Sequence, residues 1–456
     1  MADAAGRTKG KSFMKVLHLN TFDIEGGAAR AAWRLHQGLR ELGTDSRMLV
    51  QTKTSGDETV CERDTELARW LGKFRPYMEI VPLIMYRSRP STHWATEWTP
   101  TRVIQQILAL KPDIIHLHWV CRGFMSITDI GKLPAPVVWT LHDSWAFTGG
   151  CHVPGSCTLY KKQCGMCPQL ASTQADDLSR WVWTQKAKHW AHTPFTIVTP
   201  SHWLADCARN SSLLKSCRTE VIPNGIDTTI YRPVPRHEAR AALALPQDRK
   251  LVLISAMNAT LDTNKGFRYL EAGLQQLAAA GWKDKIELLV VGQAAPSTPV
   301  NAGVPIRFLG ILKDEDAMRQ VYSAADVTVL SSIQENLPNS IMESMACGTP
   351  VVAFNIGGIP QLIDHNVNGY LAAPFEASDL AAGIQMVLSD DDNRARLSAM
   401  ALKKIITTFD TRIITRQYQA LYEKVRIQGP EFRIQNSEFN VGGALRAATG
   451  SPGCST

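Results

Sequence analysis

The 456-residue chain lacks any apolar run long enough to cross a bilayer. Its longest, at 80–86, is interrupted by Pro82 and falls far short of the roughly 18 residues a spanning helix needs. The first thirteen residues, MADAAGRTKGKSF, lack the apolar centre of a secretory signal, so they read as a frayed head on a cytoplasmic protein. A dense basic stripe is missing as well: 49 Lys and Arg against 42 Asp and Glu leave a net charge of +7, spread along the chain. That mild bias suits anionic small molecules or an anionic membrane surface and gives no support to a nucleic-acid partner. With 45% apolar and 20% charged residues the chain is globular, and its length suits two or three domains rather than one small binding module.

What the chain does have is alternation. Short β-branched runs at 15–20, 46–52, 113–119, 137–145 and 195–201 are separated by helical patterns, which predicts parallel strands with crossover helices. Residues 27–43 carry Ala28, Ala32, Leu35, Leu39 and Leu42 at helical spacing, with Gly43 where a C-cap glycine belongs. After VIPNGID at 221–227 and a Pro-containing stretch, the alternation resumes through KLVLISAM, IELLVVGQ, IRFLGIL, DVTVLSS and PVVAFNIGG. The expectation is an α/β protein of two doubly wound lobes whose sheet ends face a common crevice. Its expected divisions are a disordered head (1–13), an N-terminal lobe (14–215), a C-terminal lobe (216–400), a closing helix (401–426) and a disordered tail (427–456).

Two segments interrupt the N-terminal lobe. Residues 61–100 interleave Trp70, Phe74, Tyr77, Met78, Ile84 and Met85 with Arg69, Lys73, Arg75, Arg87 and Arg89. The preferred reading is a helix packing its apolar side on the lobe; resting on a lipid headgroup surface is the alternative. The loop CHVPGSCTLYKKQCGMC at 151–167 collects Cys151, Cys157, Cys164 and Cys167 of the ten cysteines. Its terminal C-x2-C pair and two further thiols suit structural zinc. Reduced or paired structural thiols are the next reading and an iron–sulfur cluster the last. His116 and His118 share one face of a strand, which fits a metal pair less well than buried, hydrogen-bonded rings.

The densest chemistry lies at 331–363, SSIQENLPNSIMESMACGTPVVAFNIGGIPQLI. Pro338 suits the opening of a helix, leaving Glu335 in the preceding loop and Glu343 about a turn inside. Free N–H groups at such a start attract phosphate, and a carboxylate beyond the phosphates accepts paired sugar hydroxyls.

This window resembles the nucleotide-sugar signature of the retaining glycosyltransferases of family 4, which have the two-lobed GT-B architecture. EGGAAR at 25–30, TLHDSW at 140–145, TPSHWLAD at 199–206, VIPNGID, NKGF at 264–267 and FLGIL at 308–312 follow in the family's order. The resemblance implies ribose binding by Glu343, contact with donor-sugar hydroxyls by Glu335, and diphosphate neutralisation by Lys265. His142 falls near the anomeric centre, with His142 and Glu335 as the catalytic pair. Gly26 and Gly27 match a loop allowing close approach to the backbone, and Gly310 and Ile311 fall where main chain meets the base. Pro338 stands where the family commonly has glycine and has no N–H, which moves the main-chain donors to Asn339 and Ser340. An arginine usual before the lysine is absent from SAMNATLDTNK.

The resemblance implies transfer with retention of anomeric configuration, from a nucleoside diphosphate sugar, with uridine weakly preferred, to a glycan or lipid-linked glycan. Bacterial cell-surface polysaccharide or lipopolysaccharide assembly is the implied setting; contact with the inner face of the cell membrane is the alternative that the 61–100 segment leaves open. No catalytic metal is expected, because Asp176, Asp177 and 390–392 lie away from the motifs. A sugar-nucleotide epimerase on the same fold and a non-catalytic nucleotide-binding scaffold are the alternatives.

Overall fold

The computed structural model describes residues 14–90 and 92–428; the expected head and the tail from 429 onward lie outside the described residues. Seven parallel strands form the first sheet: β1 (Lys15–Phe22), β2 (Asp45–Thr52), β3 (Val60–Cys61), β4 (Ile114–Leu117), β5 (Val137–Thr140), β6 (Phe195–Thr199) and β7 (Arg218–Val221). Their order is β3-β2-β1-β4-β5-β6-β7. Six more form the second: β8 (Lys250–Ser255), β9 (Ile286–Val291), β10 (Ile306–Gly310), β11 (Val327–Leu330), β12 (Val351–Phe354) and β13 (Gly369–Ala372), in the order β10-β9-β8-β11-β12-β13. Both are doubly wound, with the order reversing beside β1 and β8. β4, β5, β9, β11 and β12 are buried along their whole length, as strands covered by helices on both faces must be.

The first sheet extends to Val221, beyond the expected lobe boundary at 215. β7 was hidden because RTEV is polar and half-exposed; as an edge strand it buries only one flank. The chain crosses between lobes twice, and the crossings are tied together. Ile226 N donates to Phe409 O (2.9 Å) and Thr411 N to Ile226 O (3.0 Å). The second crossing falls at Phe409, inside the span expected for the closing helix. Beyond it the helix Thr411–Gln428 returns to the N-terminal lobe, burying Tyr418 and Tyr422 among Val16, Leu35, Leu39, Ile114 and Val138.

The 61–100 segment corrects the preferred reading. It forms a helix, Glu66–Ile80, followed by a 3-10 turn, Val81–Met85, but docks through polar groups. Glu79 accepts from Thr99 N (3.1 Å) and Thr99 Oγ1 (2.6 Å), and only Leu83 of the following turn is buried. Trp70, Phe74, Tyr77, Ile84 and Met85 face outward. The N–H groups and hydroxyls beneath the helix need that carboxylate, and the apolar side is left without a cover.

Where the first helix (Gly27–Glu41) crosses the returning one, a Cβ on Gly38 would lie 2.4 Å from Thr415 Oγ1 and 3.0 Å from Thr411 Cγ2. Gly38→Ala, which stabilises a free helix by about 1 kcal/mol, should therefore destabilise this protein by about 1–3 kcal/mol through overpacking. Thermal unfolding checks this: a lowered midpoint is expected, and a raised one contradicts the contact.

Candidate active site

The carboxyl ends of both sheets open onto one cleft of about 530 Å³. From the first lobe it is lined by Gly27, Trp119, His142, Asp143 and His152, and from the second by Met257, Lys265, Glu335, Asn339 and Ser340.

His142 follows β5. Its Nε2 lies 3.1 Å from His118 Nδ1, just beyond β4, and His118 Nε2 lies 3.0 Å from His18 Nδ1 on β1. Burial lowers His142 to about 4 because a charged ring would lose its hydration there. The neighbouring Asp143 accepts from Trp119 Nε1 (2.8 Å), Trp145 N (2.9 Å) and His152 Nδ1 (2.7 Å). Burial raises Asp143, but the His152 ring and these hydrogen bonds outweigh it and hold the carboxyl below its ordinary value. Asp143 is thus a saturated anchor for two rings of the cleft wall.

On the facing lobe, the loop after β8 carries Lys265 in a short turn whose first residue, Asp262, accepts from Asn264 N (2.9 Å). Gly266 follows with φ +61, where a Cβ would lie 2.0 Å from Ser331 O, so this lysine can approach the β11 loop only with glycine behind it. Lys265 Nζ sits 2.8 Å from Glu335 Oε1. The charge of Glu335 raises Lys265 despite burial. Glu335 lies in the loop and the helix begins at Asn339, as expected, with Pro338 at the N-cap. The N–H groups of Asn339 and Ser340 fall in the first turn, where a helix provides no internal acceptor. Asn336 spans the cleft, donating to His142 O (3.3 Å) and accepting from Ser201 Oγ (2.6 Å). Asn339 Nδ2 donates to Gly27 O (3.0 Å).

Glu343 does not line the open cleft. It is 3% exposed, with Oε1 2.8 Å from Arg34 Nη2 of the opposite lobe and Oε2 accepting from Tyr322 OH (3.0 Å). Arg34 also lies over the Tyr231 ring at 5.2 Å. Burial works against the Arg34 charge, but Glu343 more than compensates and raises it. Gly310 and Ile311 also stand outside the cleft lining: Gly310 ends β10 at φ +75, and Ile311 is exposed. Gly26 is the N-cap of the first helix, at φ +93.

The four loop cysteines line one void of about 10 Å³ with Trp94 and Tyr160, all as free thiols. Gly149 N donates to Cys164 Sγ (3.1 Å), and burial raises that thiol to about 11. Among the described residues, however, the group of three or more metal-ligating side chains whose ligand atoms lie within 4.8 Å of one another is His18, His116 and His118. His116 is hydrogen-bonded at both nitrogens, to Thr140 Oγ1 and Tyr422 OH, each at 2.7 Å.

Residues 25–230 match the family described as Glycosyltransferase Family 4, and 248–390 the one described as Glycosyl transferases group 1. The chain belongs to glycosyltransferase family 4. A D-inositol 3-phosphate glycosyltransferase of Thermobispora bispora is 28% identical over 41% of this chain and 46% of its own length, so the chain spans about half of that relative. The WcaC protein of Escherichia coli, which its name places in colanic acid biosynthesis as a glycosyl transferase, is 25% identical over 75% of this chain and 83% of its own. The solved structure of Anabaena HepE in complex with UDP-glucose shares the fold, with a TM-score of 0.60, 19% identity, and 90% of this chain and all of that one covered. The two lobes therefore have the GT-B arrangement of the chain's structural neighbours.

Arg34, Asp143, His152 and Asn336 were not singled out from sequence. Asp143 adjoins His142 in TLHDSW, which was an available signal. Arg34 had none, because its partners are 281 and 309 residues away.

Burial lowers the rings of His18, His36, His116, His118 and His142, among others, below the ordinary histidine value of 6.5. The unfolded chain then binds more protons than the folded one below pH 6.5, so stability falls with falling pH down toward pH 4, the folded value of His36 and His142. For His36 and His142, whose folded values are both about 4, the slope approaches at most about 1.4 kcal/mol per pH unit per ring within that window. Denaturant midpoints across the window should fall steeply, and a flat profile would contradict the neutral cluster.

Proposed function

We propose that this chain is a retaining glycosyltransferase. It moves a sugar from a nucleoside diphosphate sugar, uridine diphosphate preferred, to a hydroxyl of a glycan or lipid-linked glycan in bacterial cell-surface polysaccharide assembly. The observation carrying this is the Lys265–Glu335 pair beside a free helix start, facing His142 across one cleft. Lys265 exchanges Glu335 for the donor diphosphate, and the N–H groups of Asn339 and Ser340 take phosphate oxygens. Glu335, released from the lysine, accepts hydroxyl hydrogens of the sugar. The leaving phosphate, still bound, assists deprotonation of the acceptor hydroxyl on the same face. Glu343 accepts the ribose hydroxyls once its carboxylate turns from Arg34. The co-crystallisation of HepE with UDP-glucose supports the donor class, and the names of the relatives support glycosyl transfer.

The cationic task falls to Lys265 and the helix start rather than to a catalytic metal. Of the carboxylates away from the motifs, Asp177 and Asp390 cap the helices Leu178–Trp190 and Asp391–Lys404, and Asp391 pairs with Lys250 and Arg394. Incubation with UDP-sugars and glycan acceptors, followed by proton NMR of the new linkage, should give product with the donor's anomeric configuration without added metal. Lys265→Ala should lower that rate by about 100-fold or more, as loss of a charge-stabilising group does. Inversion, conversion of the donor without an acceptor, or an unchanged variant each contradicts the proposal.

A structural zinc at Cys151, Cys157, Cys164 and Cys167 belongs to the same reading. It is supported by their common void and by the N–H bond to Cys164 Sγ, although the sulfurs must close in from their present spacing to share one ion. Elemental analysis should find about one zinc per chain, lost in Cys164→Ser/Cys167→Ser. A metal-free protein of unchanged stability excludes it.

The outward apolar side of Glu66–Ile80 and its following turn, with Trp70, Phe74, Tyr77, Ile84 and Met85 exposed among Arg69, Lys73, Arg87 and Arg89, matches an anionic lipid surface. There the basic groups meet headgroups while the rings enter the interface. The chain should float with vesicles containing phosphatidylglycerol and lose that binding in Trp70→Ser/Phe74→Ser. Equal recovery with neutral vesicles, or none with either, rejects the membrane contact.

A further inference from the structure

His142, His118 and His18 form a continuous chain from the cleft wall into the first lobe. The rings are nearly parallel, at 24° and 23°, with centroids 5.4 and 5.3 Å apart. Their facing nitrogens are 3.1 and 3.0 Å apart. A neutral imidazole has one N–H and one lone pair, so both contacts are satisfied only when the protons point the same way along the chain. All three rings then carry hydrogen on Nδ1, or all three on Nε2. Any mixture sets two N–H groups or two lone pairs face to face.

The inner end breaks this degeneracy. His18 Nε2 is buried without a hydrogen-bond partner. A buried N–H with nowhere to donate is the less tolerated state, which favours hydrogen on Nδ1 of His18 and therefore on Nδ1 of the other two. At the outer end, His142 Nε2 is taken by His118, so Nδ1 is the nitrogen left for the cleft. His116, satisfied separately by Thr140 and Tyr422, stays outside the relay.

We propose that His118 and His18 are positioning residues that hold His142 as the Nδ1–H tautomer, so that it meets a ligand oxygen in the cleft as a fixed hydrogen-bond donor and not as a base. Only the identity of that ligand, a hydroxyl or phosphoryl oxygen of a nucleoside diphosphate sugar, rests on the function proposed above. Reversing the donor would require moving protons on two buried rings as well. Burial, which keeps the three rings neutral, is what allows tautomers rather than charge to carry the setting.

Histidine-selective 15N labelling of the full chain and long-range proton–nitrogen correlation at neutral pH test this without a ligand. The expected spectrum shows three buried rings protonated at Nδ1. Protonation at Nε2, a charged ring among the three, or metal-shifted nitrogens at His18 and His118 would overturn the proposal. Functionally, His118→Asn can still donate to His142 Nε2, whereas His118→Leu cannot. UDP-glucose turnover should fall about tenfold in His118→Leu, the worth of about one hydrogen bond, with a new pH dependence near the ordinary histidine range and recovery in His118→Asn. Equal loss in both variants, or an unchanged pH profile in His118→Leu, overturns it. If wild-type protein does not use UDP-glucose, that failure belongs to the proposed function, and the spectrum still decides the relay.

Discussion

An ionised group facing a cleft between two apolar sheets needs a counter-charge, because desolvation costs more than most single contacts return. This constraint organises the space between the lobes. Lys265 in the cleft pairs with Glu335, and Arg34 behind the cleft lining pairs with Glu343, both at 2.8 Å, while Asp143 is held by the hydrogen bonds it accepts, from His152 among others. Arg34–Glu343 ties one lobe to the other, and both pairs engage the carboxylates that the family resemblance assigns to the donor. A ligand carrying a diphosphate and several hydroxyls can replace both halves of such a pair at once, anion for Glu335 and hydroxyls for Lys265. A simple anion replaces only one.

The lobes are coupled through more than charge. The two crossings, at Ile226 and Thr411, are joined by their own backbone hydrogen bonds. The returning helix then places Tyr418 against Thr140 and Tyr422 against His116 of the first sheet. The chain that closes the second lobe thereby supports the polar layer beneath the first lobe's cleft wall. Asn336 and Asn339 cross the cleft to the backbone of His142 and Gly27, so the loop expected to hold the donor also senses the position of the opposite wall.

Much of this was legible in the sequence where a local rule applies. Alternating β-branched runs revealed both sheets, and Pro338 divided Glu335 from Glu343 correctly into loop and helix. The placement of Gly43, beyond the end of the first helix at φ +79, followed from cap chemistry. Features set by distant partners were not legible. Arg34 reads as one more surface cation on its helix until Glu343 arrives from the other lobe. The helix at 66–80 has enough apolar residues to be packed inward, but the underlying N–H groups select Glu79 instead, and its apolar side turns out. Gly310 and Ile311, carried over from the resemblance, lie beyond the cleft lining because β10 is the edge strand of its sheet.

The central claim is that Lys265 and Glu335 exchange each other for the two halves of one donor. Calorimetric titration with uridine diphosphate and with UDP-glucose, in the absence of divalent metal, tests it most directly for the wild-type chain, Lys265→Ala and Glu335→Gln. The account predicts that Lys265→Ala weakens both ligands, while Glu335→Gln leaves uridine diphosphate binding intact and removes only the added affinity for the sugar. Equal binding of both ligands by all three proteins would contradict it, placing the donor away from this pair.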